Sequence, residues 1–172
     1  MNNNEIDSLR SQLIKMTKYN LWANTKISEF LLKLDPALLD KELISSFDTI
    51  RKTLYHIMGA ESIWLSRLTG ISPATWPGEN FSGTDIEVIN SFTGQSEKLV
   101  GYAEGCTDDS IQDAVKYSSM DGKKFENKIC DILQHALNHS AFHRGQLITM
   151  LRNVGYTDLS STDYITYLRL GN

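Results

Sequence analysis

The run Ile132-Leu133-Gln134-His135-Ala136-Leu137-Asn138-His139-Ser140-Ala141-Phe142-His143-Arg144-Gly145-Gln146-Leu147-Ile148 carries two periodicities at once. Its apolar positions, continued by Phe125 and Ile129 before it and by Leu151 and Val154 after it, recur at the three-and-four spacing of one helical face, and Gly155 supplies the stop. Its histidines, His135, His139 and His143, recur at every fourth residue. The spacing predicts a helix from Phe125 to Val154 with imidazoles stacked along it.

Three further helices are predicted upstream. From Ile6 to Leu34 the residues Leu9, Leu13, Met16, Ala23, Ile27, Phe30, Leu31 and Leu34 form one amphipathic stripe that Asp35-Pro36 ends. Ser46-Phe47-Asp48 offers caps for a second helix over Asp48 to Thr69, with Ile50, Leu54, Ile57, Ala60, Trp64 and Leu68 on its apolar side and Gly70 behind it. Ile71 to Gly83, with Pro73, Pro77, Gly78 and Gly83, is a loop long enough to form a rim or lid. Thr84-Asp85 caps a third helix through Ala103, interrupted by Gly94 and Gly101. Between Ala114 and Phe125 the turn-forming Asp121-Gly122 predicts either a small hairpin or irregular loop, and Asp163 to Leu168 is expected to pack back on the bundle. Two pairs of long helices make an all-α four-helix bundle, a fold whose ligand sites are built from inward-facing side chains. At 172 residues the chain reads as a single domain spanning 1–172.

Composition narrows the function classes. Seventeen Lys and Arg against 21 Asp and Glu leave a net charge of −4, which gives no basic field for a phosphate backbone or anionic lipid. No nucleic-acid or membrane partner is expected. The polar first ten residues and the lack of a long uncharged apolar run point to a cytoplasmic protein. Cys106 and Cys130 form no CxxC pair and are read as reduced.

The histidines carry the chemistry. Side chains four apart on a helix lie about 6 Å apart at Cβ, so two imidazoles can share an ion, whereas the outer pair here, about 12 Å apart, cannot. On a wheel of about 100° per residue, His143 falls beside Ile132, Ala136, Met150 and Val154, while His135 falls toward Lys128, Gln146 and Asp131. His139 and His143 are therefore the better-buried pair. His56, on the second helix, is the remaining candidate for a third nitrogen ligand, and the arrangement would resemble an open catalytic site. A short echo, Thr53-Leu54-Tyr55-His56-Ile57 against Ile132-Leu133-Gln134-His135-Ala136, argues instead for His135. Cys130 lies roughly opposite His139 on the wheel and reads as a core cysteine.

Other polar residues fall near the same faces. Glu61 shares the sector of Leu54, Ile57, Trp64 and Leu68, so its partly buried carboxylate is either a partner of the site, such as a general base, or half of an ion pair with a Lys or Arg. Asn20 interrupts the first apolar stripe and can hydrogen-bond across the bundle. Arg144 reads as an anion-binding or surface-capping residue, and Tyr19, Trp22 and Trp64 as packing residues.

These residues together resemble the DinB-like family of metal-binding helical bundles, which is unrelated in fold to the DNA polymerase sharing the name. Tyr19-Asn20-Leu21-Trp22-Ala23-Asn24 resembles its first-helix signature, and Thr53-Leu54-Tyr55-His56-Ile57 with Trp64 and Arg67 its second. Asn138-His139-Ser140-Ala141-Phe142-His143-Arg144-Gly145-Gln146-Leu147, Leu151-Arg152, Gly155 and the closing Asp163-Tyr164-Ile165-Thr166-Tyr167-Leu168 complete the likeness. The resemblance implies an up-down-down-up bundle, often a homodimer, with a divalent ion on His56, His139 and His143. It also implies kinship with transferases that use low-molecular-weight thiols. A metal-dependent enzyme such as a small-thiol S-transferase, acting on a thiol and an electrophile, is the leading expectation. A non-catalytic metal-binding or stress-response protein and a metal-dependent hydrolase are the alternatives. Three imidazoles suit zinc, nickel, copper and iron comparably, and a zinc or nickel ion is the expectation. No catalytic side chain is assigned.

Overall fold

The computed structural model describes residues 8–77 and 83–171. Four long helices dominate: α1 (Leu9–Leu31), α2 (Ile50–Leu68), α3 (Asp85–Gly105) and α4 (Ile129–Asn153). Each apolar stripe turns inward, and α1 packs on α3 and α4 while α2 packs on the same two, so the order around the bundle is α1-α3-α2-α4. One end of the core is built on Ile27, Phe30, Ile50, Leu54, Phe92, Leu147 and Leu151, and the other on Leu13, Leu68, Leu99, Ile111, Ile132 and Leu133. No helix among the described residues is long and apolar enough to cross a membrane.

The element ends differ from the periodicity in ways that local chemistry explains. The first helix is shorter than Ile6 to Leu34: the Ser8 side chain accepts from the Ser11 N–H and starts it, and Ile6 lies outside the described residues. At its other end Leu34 N–H bonds to Leu31 rather than one residue further back, as the chain tightens toward Asp35-Pro36. Thr49, not Ser46 or Asp48, caps α2, its hydroxyl accepting from Lys52 N–H. Thr84 and Glu87 form a reciprocal capping box that starts α3 as expected.

The fourth helix begins at Ile129, not Phe125. Residues Ala114–Ser118 (β1) and Lys124–Lys128 (β2) pair as an antiparallel hairpin in the register Tyr117↔Phe125, and those two rings stack at 5.7 Å. Phe125 fits the helical stripe by spacing, but strand pairing claims its backbone. The turn holds Gly122 at φ +83°, a conformation favoured by glycine. After Gly155, a short helix α5 (Tyr164–Arg169) returns to α1, where Tyr167 packs on Tyr19 and Trp22. Both cysteines are free; Cys106 is buried, and Cys130, expected in the core, is half-buried and packs against the core cluster at the hairpin end. In the loop after α2, the expected Gly78 falls outside the described residues.

Candidate metal centre

His56 projects from the α2 edge that faces α4, one residue before the fully buried Ile57. His139 and His143 lie on successive turns of α4, and the three rings converge with centroids 4.4 to 4.8 Å apart. One nitrogen from each falls within 4.8 Å of the others. The ring Nε2 atoms of His56 and His139 face each other at 2.9 Å. Burial, reinforced by the neighbouring imidazoles, pushes both groups down to about 4. At neutral pH both rings are therefore uncharged and carry a lone pair.

The chain also sets which atoms are free. His143 Nδ1–H donates to Gln146 Oε1 at 2.7 Å, and Gln146 Nε2 donates to Ser46 Oγ at 2.9 Å. That relay holds the ring in the tautomer that leaves Nε2 as an acceptor, as metal-ligating histidines require. His139 Nδ1 is buried with no hydrogen-bond partner among the described residues. Three imidazoles brought this close, with two nitrogens opposed, fit a divalent transition ion of borderline softness.

Aromatic side chains complete the surroundings. Phe47 stacks on His56 at 4.2 Å, and Trp76 lies nearly parallel to it at 5.3 Å and 10°. Trp76 fits because residue 59 is glycine: a Cβ there would come within 2.5 Å of the indole. The loop after α2 is thus a rim, as its composition suggests, but the residue that matters in it is Trp76. Sequence reasoning gave Trp76 no role, read Ser46 and Phe47 only as part of a cap segment for α2, and placed Gln146 toward His135 rather than behind His143. The i,i+3 spacing of His143 and Gln146 was the available signal for that pair.

His135 stands apart. Its ring is 6.2 Å from His139 and rests edge-on against Trp64 at 4.7 Å.

Glu61 is not one of the residues that converge with the three histidines, and it has no ion pair among the described residues. Its carboxylate is fully buried and accepts from Asn20 Nδ2 at 2.8 Å, Asn24 Nδ2 at 3.3 Å, Ser96 Oγ at 2.8 Å and the Ser140 hydroxyl. Burial raises its pKa, and these donors with the Arg144 charge oppose the rise. Arg144, expected at a surface or on an anion, is instead interior: it donates to the amide oxygens of Asn20 and Asn24 and lies under the Tyr19 ring. Asn20 bonds across the bundle as anticipated. The network joins all four long helices beside the histidines.

A helical bundle with three converging imidazoles at the edge between two helices defines the class. The chain belongs to the DinB family, whose model matches residues 1–170. It is 26% identical over 161 residues to Protein DinB of Bacillus subtilis (strain 168), an alignment covering 90% of this chain and 92% of that one. A DinB-like protein from Bacillus subtilis superimposes with a TM-score of 0.64 at 15% identity, covering 86% of this chain and 97% of that one. A DinB-like protein from Bacillus cereus superimposes with a TM-score of 0.62 at 17% identity, covering 81% and 91%.

Proposed function

We propose that this protein is a metal-dependent enzyme that activates a small thiol for transfer to an electrophile, with His56, His139 and His143 holding the ion. The observation that carries the reading is the convergence of three imidazole nitrogens within 4.8 Å, two of them opposed at 2.9 Å and uncharged at neutral pH. Family membership supports it, since DinB family members bind metals. A divalent ion held there supplies a Lewis acid that lowers the cost of ionising a thiol near neutral pH.

The remaining work belongs to the chain. Gln146, fixed by Ser46, holds the His143 ring so that its Nε2 points away from the relay. Phe47 and Trp76 set the His56 ring by stacking and keep water from its face. Three protein ligands leave coordination positions open for substrate, the feature that separates catalytic from closed structural sites. The Glu61 network holds α4 against α1, α2 and α3, which fixes the spacing of the ligands.

Zinc or nickel is the proposed ion, and a two-fold homodimer the proposed assembly; sedimentation showing only monomer at micromolar concentration overturns the latter. The function is tested with apo and metal-loaded protein, assayed with several low-molecular-weight thiols and a reactive electrophile. Turnover that needs both ion and thiol is the expected result. Metal-loaded protein that turns over no thiol overturns the reading. Elemental analysis of protein purified without an affinity tag identifies the ion.

A further inference from the structure

A cavity of about 200 Å³ lies between α2 and α3. Gly59 and Gly94, one from each helix, line it and leave the space, since a Cβ on Gly94 would meet nothing within 4 Å. Four polar side chains line it as well: Ser62 from α2, and Ser91, Gln95 and Lys98 at the three-and-four spacing of one α3 face. None of the four has a hydrogen bond or ion pair among the described residues. A helical serine often returns its hydroxyl to a carbonyl one turn back, as Ser66 does to Ser62, but neither Ser62 nor Ser91 does so.

Gln95 carries the most weight. The residue is only 8% exposed and its amide has no partner among the described residues, yet neither amide atom is sealed from solvent, so the amide opens on the cavity it lines. A nearly enclosed amide without a hydrogen bond costs free energy that a ligand recovers. The adjacent carboxylate does not compete, because Glu61 accepts from Ser96 Oγ at 2.8 Å inside the bundle, whereas Ser62 and Gln95, next to them in sequence, line the cavity. Lys98 is the one charged residue of the lining among the described residues, so the wall is positive and rich in donors. A phosphate group brings three terminal oxygens and nearly two negative charges at neutral pH, acceptors enough for an ammonium, an amide N–H₂ and two hydroxyls, where a carboxylate brings two oxygens and one charge. We propose that this cavity is a binding site for a phosphate group, with Lys98 as the balancing charge and Gln95, Ser62 and Ser91 as donors. The inference goes beyond the metal centre and does not require the ion.

The test is calorimetric titration of the full chain, chelator-treated and metal-loaded, with inorganic phosphate, ethyl phosphate and acetate at matched ionic strength. Inorganic phosphate should bind once per chain in both forms, at least about tenfold tighter than acetate, the scale of one added hydrogen bond to a charged group. Tighter binding of ethyl phosphate supports the site as one for a phosphomonoester, and tighter binding of inorganic phosphate supports it as one for the free ion. Lys98→Gln should weaken phosphate at least about tenfold without changing metal stoichiometry. Gly94→Leu, whose side chain enters open space, should fill the cavity and block binding. A readout that needs no variant is the nitrogen-15 resonance of the Gln95 amide, which should shift on saturation with phosphate and not with sodium chloride. Equal affinities for phosphate and acetate, phosphate binding that survives either substitution, or an unmoved Gln95 amide overturns the proposal. Phosphate binding confined to the metal-loaded form overturns it as well, because the anion would then be a ligand of the ion.

Discussion

The histidine cluster and the Glu61 network meet on α2 and α4, with Ser140 following His139 and Arg144 following His143, yet they handle polarity in opposite ways. Around Glu61 each carboxylate oxygen has a donor and Arg144 has acceptors from α1, so buried charge is matched within the chain. Around His56 and His139 the nitrogens face one another, and the His139 Nδ1 has no partner among the described residues. A satisfied polar network gives the bundle a single way to pack, while the unsatisfied imidazoles keep lone pairs for a ligand the chain does not provide. Neighbours in sequence thus serve stability and chemistry separately because a helix turns successive residues about 100° apart.

Breaking the cluster should have the largest effect. His139→Ala or His143→Ala should lower metal affinity by orders of magnitude while far-UV circular dichroism stays helical, because neither residue belongs to the apolar cores. Full metal occupancy in both variants would remove the distinction drawn here; loss of helix with the metal would make the ion part of the fold.

Breaking the network should do the reverse. Glu61→Leu leaves the Asn20, Ser96 and Ser140 donors without their acceptor and removes the negative charge near Arg144, and should cost about 3–5 kcal/mol in urea denaturation, with metal uptake kept in the folded fraction. The double variant Glu61→Leu/Arg144→Leu should lose less than the two single losses added, since the residues share one network. Strict additivity would show that they do not.

Acid sharpens the comparison. In chelator-treated protein the unfolded chain binds protons at His56 and His139 near 6.5, whereas the folded chain resists until about 4. Stability should therefore fall as pH drops through that window, and His56→Ala/His139→Ala should flatten the fall. A pH profile unchanged in the double variant would place the acid sensitivity elsewhere.

Smaller effects grade the surroundings of the cluster. Gln146→Ala frees the His143 ring and should weaken metal binding about 10- to 100-fold in competition titrations, the usual cost of removing a ligand's hydrogen-bond partner. His135→Gln should leave metal affinity nearly unchanged. Equal losses for His135→Gln and His143→Gln would move the site one turn toward Asp131.

The arrangement of helices was largely legible from periodicity, because burying an apolar stripe is a one-dimensional pattern with a period of about 3.6 residues. The stripe misled at Phe125, where a neighbouring strand rather than a helical turn takes the backbone, and at the ends of α1 and α2, where single caps decide. The preference for His139 with His143 came from the same stripe, and His56 came from resemblance and elimination. Glu61 was recognisably interior for the same reason. Its partners were not, because Asn20, Asn24, Ser96, Ser140 and Arg144 are spread over three other helices, and only packing brings them to one carboxylate.

By itself, then, the sequence determined what repeats along a helix: four amphipathic segments, their turns, and imidazoles spaced to share a face. Tertiary structure alone decided what meets across helices. It opposed His56 to His139, set Gln146 and Ser46 behind His143, and seated Trp76 in the space left by Gly59. The physical reason is range. Helical periodicity is written in neighbours three and four residues apart, as for His143 and Gln146, whereas the Gly59–Trp76, His56–His139 and Ser46–Gln146 contacts join residues 17, 83 and 100 positions apart, whose meeting depends on how every helix packs.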